Sequence, residues 1–187
     1  GFLAFSDNIP GMEQLSPALL RTSLVRDDSA DLAADHIDVQ PAHVARTDIR
    51  LSVYEDIAAI ARDWREFQAR ADGTVFQTYE WLSTWQRHIG TRHGTRPAIV
   101  IGRDARGEIM LLLPLALQRT RLARQLTWLG SELCDYNAPL LAPEFSLHVS
   151  LARFEQLWAD VLSRLRSHPQ LGFDLVHLDQ MPAVVGA

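Results

Sequence analysis

The strongest pattern in the chain runs from Pro97 to Gln118, where two apolar runs flank one polar turn. Ile99, Val100 and Ile101 are β-branched and suit a pleated surface. Asp104-Ala105-Arg106-Gly107 reads as the turn, because Asp bonds its own backbone and Gly accepts a positive φ. The return run from Ile109 to Leu113 is apolar at every position, which predicts a strand covered on both faces. A buried helix is the competing reading, and the β-branched first arm and the central turn disfavour it. Pro114 cannot donate to a ladder, so a bulge or an unpaired edge is expected there.

The other segments need a sheet to pack on, and this hairpin is its best candidate. Ile49 to Tyr54 alternates as a first strand. Asp56 caps a predicted helix whose Ile57, Ile60, Ala61, Trp64 and Phe67 share a face, and Gly73 follows its end. Thr78 caps a second helix with a Trp81, Leu82, Trp85 and Ile89 stripe, closed by Gly90. Core is the plainer reading of such a stripe, and a ligand surface the alternative. Beyond the hairpin, Arg124 to Leu129 predicts a strand with Leu126 and Trp128 on one face. A polar loop, Gly130 to Asn137, and a short edge strand, Ala138 to Ala142, come next. Ser150 caps a helix with Leu151, Phe154, Leu157, Trp158, Val161, Leu162 and Leu165 on its apolar face. His168-Pro169 stops it, and Phe173 to Leu178 is a last strand. Helices and strands thus interleave around a mixed sheet, an α/β class.

Composition divides this picture in two. Residues 1–48 hold three arginines against eight acids, whereas residues 49–187 balance at fifteen of each. The first stretch reads as an acidic, disordered leader that buries too little apolar surface to order itself. A short helix from Met12 to Val25, interrupted by Pro17, is its one structured alternative. Residues 49–182 read as the folded domain, and 183–187 as a tail or the start of a linker to a second half. The balanced folded part lacks the basic excess of a nucleic-acid binder. Neither a membrane span nor a secretory leader is expected, and one cysteine, Cys134, excludes an internal disulfide and a Cys-rich zinc site. These features predict a cytoplasmic protein. All 18 basic residues are arginine, which removes lysine as a base or Schiff-base nucleophile.

No motif announces a reaction. The seven histidines are scattered, and GxSxG, P-loop and GxGxxG patterns are absent. Arg87, His88, Arg92, His93 and Arg96 make one basic loop, able to meet an anion or simply solvated. Asp135 would raise, not lower, the pKa of the neighbouring Cys134 thiol, so no activated thiol is expected. Asp135-Tyr136-Asn137 is the most polar and aromatic cluster in an apolar neighbourhood, and it follows a sheet strand, where open sheets place ligands. Asp135 is a candidate general base and Tyr136 a proton donor or stacking surface. An Asx-type turn with a packed tyrosine is the plain alternative.

The wording of the chain adds a resemblance. VFQTYEWLSTW, then LLLPL, then LTWLGSELCDYNAPLL, then FDLVHLDQMP, in that order between Leu51 and Pro182, resembles the CelD/BcsL family of GNAT-type acetyltransferase domains. The element order is also similar to the first two-thirds of the GNAT fold. The resemblance implies a GNAT-like mixed, mainly antiparallel central sheet flanked by helices. It implies an acyl-CoA-dependent N-acyltransferase linked to cellulose or exopolysaccharide production, built of two halves, of which this is the N-terminal one. Acetyl-CoA or another acyl-CoA would be the cofactor, held mainly by the second half. A sugar or polysaccharide-precursor amine or hydroxyl would be the acceptor, and a second GNAT half or another copy of the chain the partner. On this resemblance Asp135 and Tyr136 are the candidate catalytic residues, and Gln77, Trp81 and Asn137 the candidate acceptor contacts. The chain departs from the working GNAT pattern at Gly130, which is followed by Ser-Glu-Leu-Cys-Asp rather than a glycine-rich pyrophosphate loop; Glu132 there would repel phosphate. A non-catalytic scaffold or acceptor-binding module is therefore the alternative. A FemAB-like aminoacyltransferase is a third, for which the neutral folded region offers no tRNA-binding surface.

Overall fold

The structure is a computed structural model that describes residues 48–181. The expected leader and tail lie outside the described residues, except for Asp48.

The hairpin is the centre of the sheet. β2 (Arg96–Arg103) and β3 (Ile109–Arg119) pair antiparallel, and β3 is buried from Ile109 to Leu117. The turn forms as its residues dictate. The Asp104 carboxylate accepts from the backbone N–H of Arg106 and of Glu108, both at 2.9 Å, and Gly107 takes φ 88°.

β1 (Arg50–Tyr54) pairs with β2 on one side of the hairpin, and β4 (Arg124–Trp128) with β3 on the other. The sheet order is β1-β2-β3-β4-β6, with β6 (Leu175–Val176) parallel to β4 and the other pairs antiparallel. The architecture is thus mixed α/β on a mostly antiparallel six-stranded sheet. The last strand spans two residues rather than the six expected.

Pro114 carries no bulge; the register shifts at Gly102/Arg103 instead. A Cβ on Gly102 would come within 2.7 Å of Ile49 and Leu111 side-chain carbons, so glycine permits that close approach. The expected unpaired edge at Pro114 has a specific form. Its carbonyl accepts from Leu129 N at 2.8 Å, and a strand residue points its N and C=O to the same neighbour. The missing donor therefore faces the gap between β4, which pairs with Leu115 onwards, and β5 (Leu140–Leu141), which pairs with Leu111 and Leu112. No ladder bond is lost there.

Four α-helices lie among the described residues: α1 (Ala61–Gln68), α2 (Tyr79–Trp85), α3 (Phe145–His148) and α4 (Leu151–Ser167). The Asp56 carboxylate accepts from Ala58 N at 2.8 Å, at the start of a 3-10 turn, Ala58–Ile60, that leads into α1, so it does not cap α1 itself. α2 runs on through a π-turn, Gln86–Gly90, so Arg87 and His88 belong to a helix end and not to the expected basic loop. Arg96 is drawn away into β2, where its guanidinium donates to Gln170 at 2.7 Å. α4 follows its predicted stripe, burying Leu157, Val161 and Leu165 behind a Ser150 cap. The four-residue α3 has no counterpart in the expected elements. One core cluster joins these helices to the sheet, with Trp64, Phe67, Leu112, Leu115 and Leu165 almost fully enclosed.

Candidate functional site

β4 ends at Trp128 and the chain turns on Gly130, whose φ of 80° suits a residue without a side chain. A Cβ there would also press to 2.9 Å from Leu82. One 3-10 turn, Ser131–Leu133, comes next, then the loop through Cys134 to Asn137. Three other segments meet this loop: the turn before α2, α2 itself, and the chain after β6.

The turn before α2 is a capping box on Thr74. Its hydroxyl accepts from Phe76 N at 3.3 Å, and the Gln77 side-chain oxygen accepts from Thr74 N at 2.9 Å and from the Thr74 hydroxyl at 2.8 Å. The Gln77 side-chain nitrogen is left pointing at the loop, where it donates to the Tyr136 carbonyl at 2.7 Å. The Gln77 carbonyl in turn accepts from the indole of the fully buried Trp64 at 3.0 Å. Gln77 is itself buried, so its amide is spent on holding two segments together.

Asn137 is also buried. Its backbone N–H donates to the Gln180 carbonyl at 2.9 Å and its side-chain nitrogen to the Asp179 carbonyl at 3.4 Å. The Gln180 amide lies 2.9 Å from the Ser131 carbonyl and 2.6 Å from the Cys134 carbonyl, two acceptors that its nitrogen satisfies when turned toward the loop. Gln180 sits at φ 54°, a left-handed conformation that costs a non-glycine residue free energy and persists where its surroundings hold it.

On this scaffold stand the exposed groups. Trp81 is 37% exposed, although it shares the stripe with the buried Leu82 and Trp85. Its indole N–H donates to Cys134 Sγ at 3.3 Å, and Phe76 meets its ring edge-on with centroids 5.8 Å apart. Tyr136 is 52% exposed, Asp135 is exposed, and Val75 and Leu133 present further apolar surface beside them. Burial pushes the Cys134 thiol up, with the Asp135 charge adding to the rise and the Trp81 N–H opposing it. The thiol is therefore protonated and enclosed at neutral pH, as a structural cysteine is.

The structure thus brings Gln77, Trp81, Asp135, Tyr136 and Asn137 to one place, from segments up to 60 residues apart. It separates their roles. Gln77 and Asn137 are buried and commit their amide nitrogens to the scaffold, while Trp81, Asp135 and Tyr136 face outward. Sequence reasoning missed Phe76, Leu133 and Gln180. The Thr74-x-x-Gln77 pattern was a legible capping signal that would have placed Gln77 in a scaffold.

Two surface clefts lie elsewhere. One of about 290 Å3 is lined by Glu55, Asp56, Tyr79, Ser83, Gln86 and Arg87 among others, and one of about 350 Å3 by Ile49, Leu51, Asp160, Ser163 and Arg164. None of the five candidate residues lines either. Among the described residues no group of His, Cys, Asp and Glu is arranged to hold a metal ion, and no helix is long and apolar enough to cross a membrane. Comparison with protein-family models, with curated proteins and with solved structures finds no match for the chain.

Proposed function

We propose that this chain is a GNAT-like half of an acyltransferase, one that presents the acceptor-side surface while the acyl-CoA is held by a second half. The observation that carries the reading is the course of the chain after β4. In a working GNAT half the resemblance implies a glycine-rich loop running straight into a helix N-terminus, whose free N–H groups hold pyrophosphate. Here β4 leads into an acidic loop clamped by Gln77 and Gln180, and the N-cap of α4 lies at Ser150, more than twenty residues on. The strand order supports the GNAT-like part of the reading. Only β4 and β6 run parallel, and the connection between them carries α4.

On this reading the acceptor is a sugar of an exopolysaccharide or cellulose-related precursor. Asp135 acts as base or orienting acid, with Trp81 and Tyr136 as contact surface. The partner is a second GNAT half or another copy of the chain. A non-catalytic pairing module is the second reading, favoured by the exposure of Val75, Trp81, Leu133 and Tyr136 on the segments that meet at this loop.

Calorimetric titration of acetyl-CoA into the 187-residue chain tests the proposal. No saturable heat from a folded sample is expected. Saturable binding near one acetyl-CoA per chain would overturn it, because the half would then hold its own acyl donor.

A further inference from the structure

We propose that the β3–β4 turn is a peripheral membrane-docking tip, in which Leu122 enters the surface of an anionic bilayer while the arginines around it meet lipid phosphates. The inference goes beyond the acyltransferase reading and does not depend on it.

Charge of one sign gathers here. Residues 109–131 hold Arg119, Arg121 and Arg124 and no acid. Arg119 and Arg124 stand opposite each other across β3 and β4, a pairing that like charges disfavour, and Arg121 lies in the turn between them. The fold adds two more arginines at this end of the sheet. Arg96 begins β2 beside Leu117 of β3 and donates to the neutral Gln170. Arg166, at the end of α4, lies over the Phe173 ring at 4.7 Å, close to Gly172 and the Arg124 guanidinium. Three acids share this end. Asp174 is held by Arg124 at 3.4 Å, and Glu55 and Asp56 follow β1, two strands away from β3. Among the described residues no carboxylate pairs with Arg96, Arg119, Arg121 or Arg166.

The turn projects an apolar side chain from the middle of this charge. Leu122 is 97% exposed, more than any other large apolar side chain among the described residues. Thr120 closes the turn. Its backbone N–H donates to the Ala123 carbonyl at 2.9 Å, and its hydroxyl accepts from Leu122 N at 3.3 Å and Ala123 N at 3.0 Å. These donors are satisfied inside the turn, so the tip leaves water without stranding them. A lone exposed leucine is ordinary on a protein surface. This one stands at an apex between arginines, whose stems lie along apolar surface while their heads reach a polar boundary. A nucleic acid or an acidic protein would answer the arginines and leave the leucine in water. A bilayer takes both, the leucine at the acyl boundary and the guanidinium groups at the phosphates. The net charge of -5 does not forbid this, because distant charges are screened over about 8 Å at physiological salt and the local arginines decide contact.

The test is co-sedimentation of the 187-residue chain with two sets of vesicles, phosphatidylcholine alone and phosphatidylcholine with phosphatidylglycerol in equal parts. The expected result is at least about tenfold stronger partition onto the anionic vesicles, weakened by rising salt. Arg121→Gln lowers that partition about fivefold, the effect of one cation at the surface. Leu122→Ser lowers it several-fold and leaves the salt dependence in place. Arg106→Gln, which removes the same charge from the β2–β3 turn at the other end of the sheet, does not lower it. All three positions are exposed, and equal urea midpoints confirm that each variant is folded. Partition onto neither set, equal partition onto both, or a loss with Arg106→Gln as large as with Arg121→Gln would overturn the proposal. So would indifference to Leu122→Ser, since the arginines would then act without the insertion of an apolar side chain. None of these results bears on acetyl-CoA binding, so the docking tip and the half-domain reading fail separately.

Discussion

Gln77→Glu changes one amide nitrogen to oxygen and leaves shape intact. In the native chain that nitrogen donates to the Tyr136 carbonyl at 2.7 Å, while the side-chain oxygen accepts two bonds from Thr74. The substitution keeps the acceptor side and destroys the donor. At neutral pH it sets a carboxylate against a carbonyl in a buried position. One lost hydrogen bond amounts to about 1 kcal/mol, and desolvation and repulsion of the charge add about 1–3 kcal/mol. The total, about 2–4 kcal/mol, corresponds to a fall in Tm of roughly 10 °C for a domain of this size. Burial and the carbonyl both raise the folded-state pKa of the new carboxyl above its unfolded value of about 4.3. Between those two values the folded variant binds more protons than the unfolded one, so its stability falls as pH rises through that window. Below it the protonated acid can donate to Tyr136 as glutamine does. Urea unfolding of variant and native chains at pH 4 and pH 7 measures the difference. The penalty is expected in full at pH 7 and largely relieved at pH 4. A penalty equal at both pH values, or absent at pH 7, would refute the placing of the Gln77 donor on the Tyr136 carbonyl.

Gly130→Ala forces a side chain onto φ 80° and to 2.9 Å from Leu82, so a loss of about 1–3 kcal/mol is expected, read as a lowered urea midpoint. A midpoint equal to that of the native chain would show that the turn does not need glycine. Asp174 holds the start of β6 against β4: its carboxylate accepts from the Arg124 N–H at 2.8 Å and from the Arg124 guanidinium, which keeps its pKa below the usual range. Because the folded value is the lower one, this contribution is complete above the unfolded pKa of about 3.9 and disappears as pH falls through the folded value. Asp174→Asn should therefore flatten the decline of stability on the acid side, and an acid-unfolding profile unchanged in shape would count against the contact.

The hairpin, the three longer helices and the mixed sheet were legible because each rests on local chemistry. An Asp–Gly turn, β-branched arms and stripes at helical spacing act over a few residues, and the structure meets them at Asp104, at Thr78 and along α4. The polar loop Gly130–Asn137 was visible for the same reason, since it stands out within an apolar neighbourhood. Tertiary structure decided how those residues are used. Periodicity puts Trp81 on the stripe of Leu82 and Trp85, but the position of the loop leaves it on the rim with its indole N–H on Cys134. Gln77 serves as scaffold because its partner is a carbonyl 59 residues away. Pro114 sits in a long strand without a bulge because β4 and β5 part at that residue. Gln180 takes a glycine-like φ because its backbone and amide together clamp the loop. Each of these depends on a contact between segments far apart in the chain. A spacing of two or three and a half residues determines which face of an element is apolar; only the packed neighbours determine which polar atoms are consumed inside the protein and which are left for a ligand.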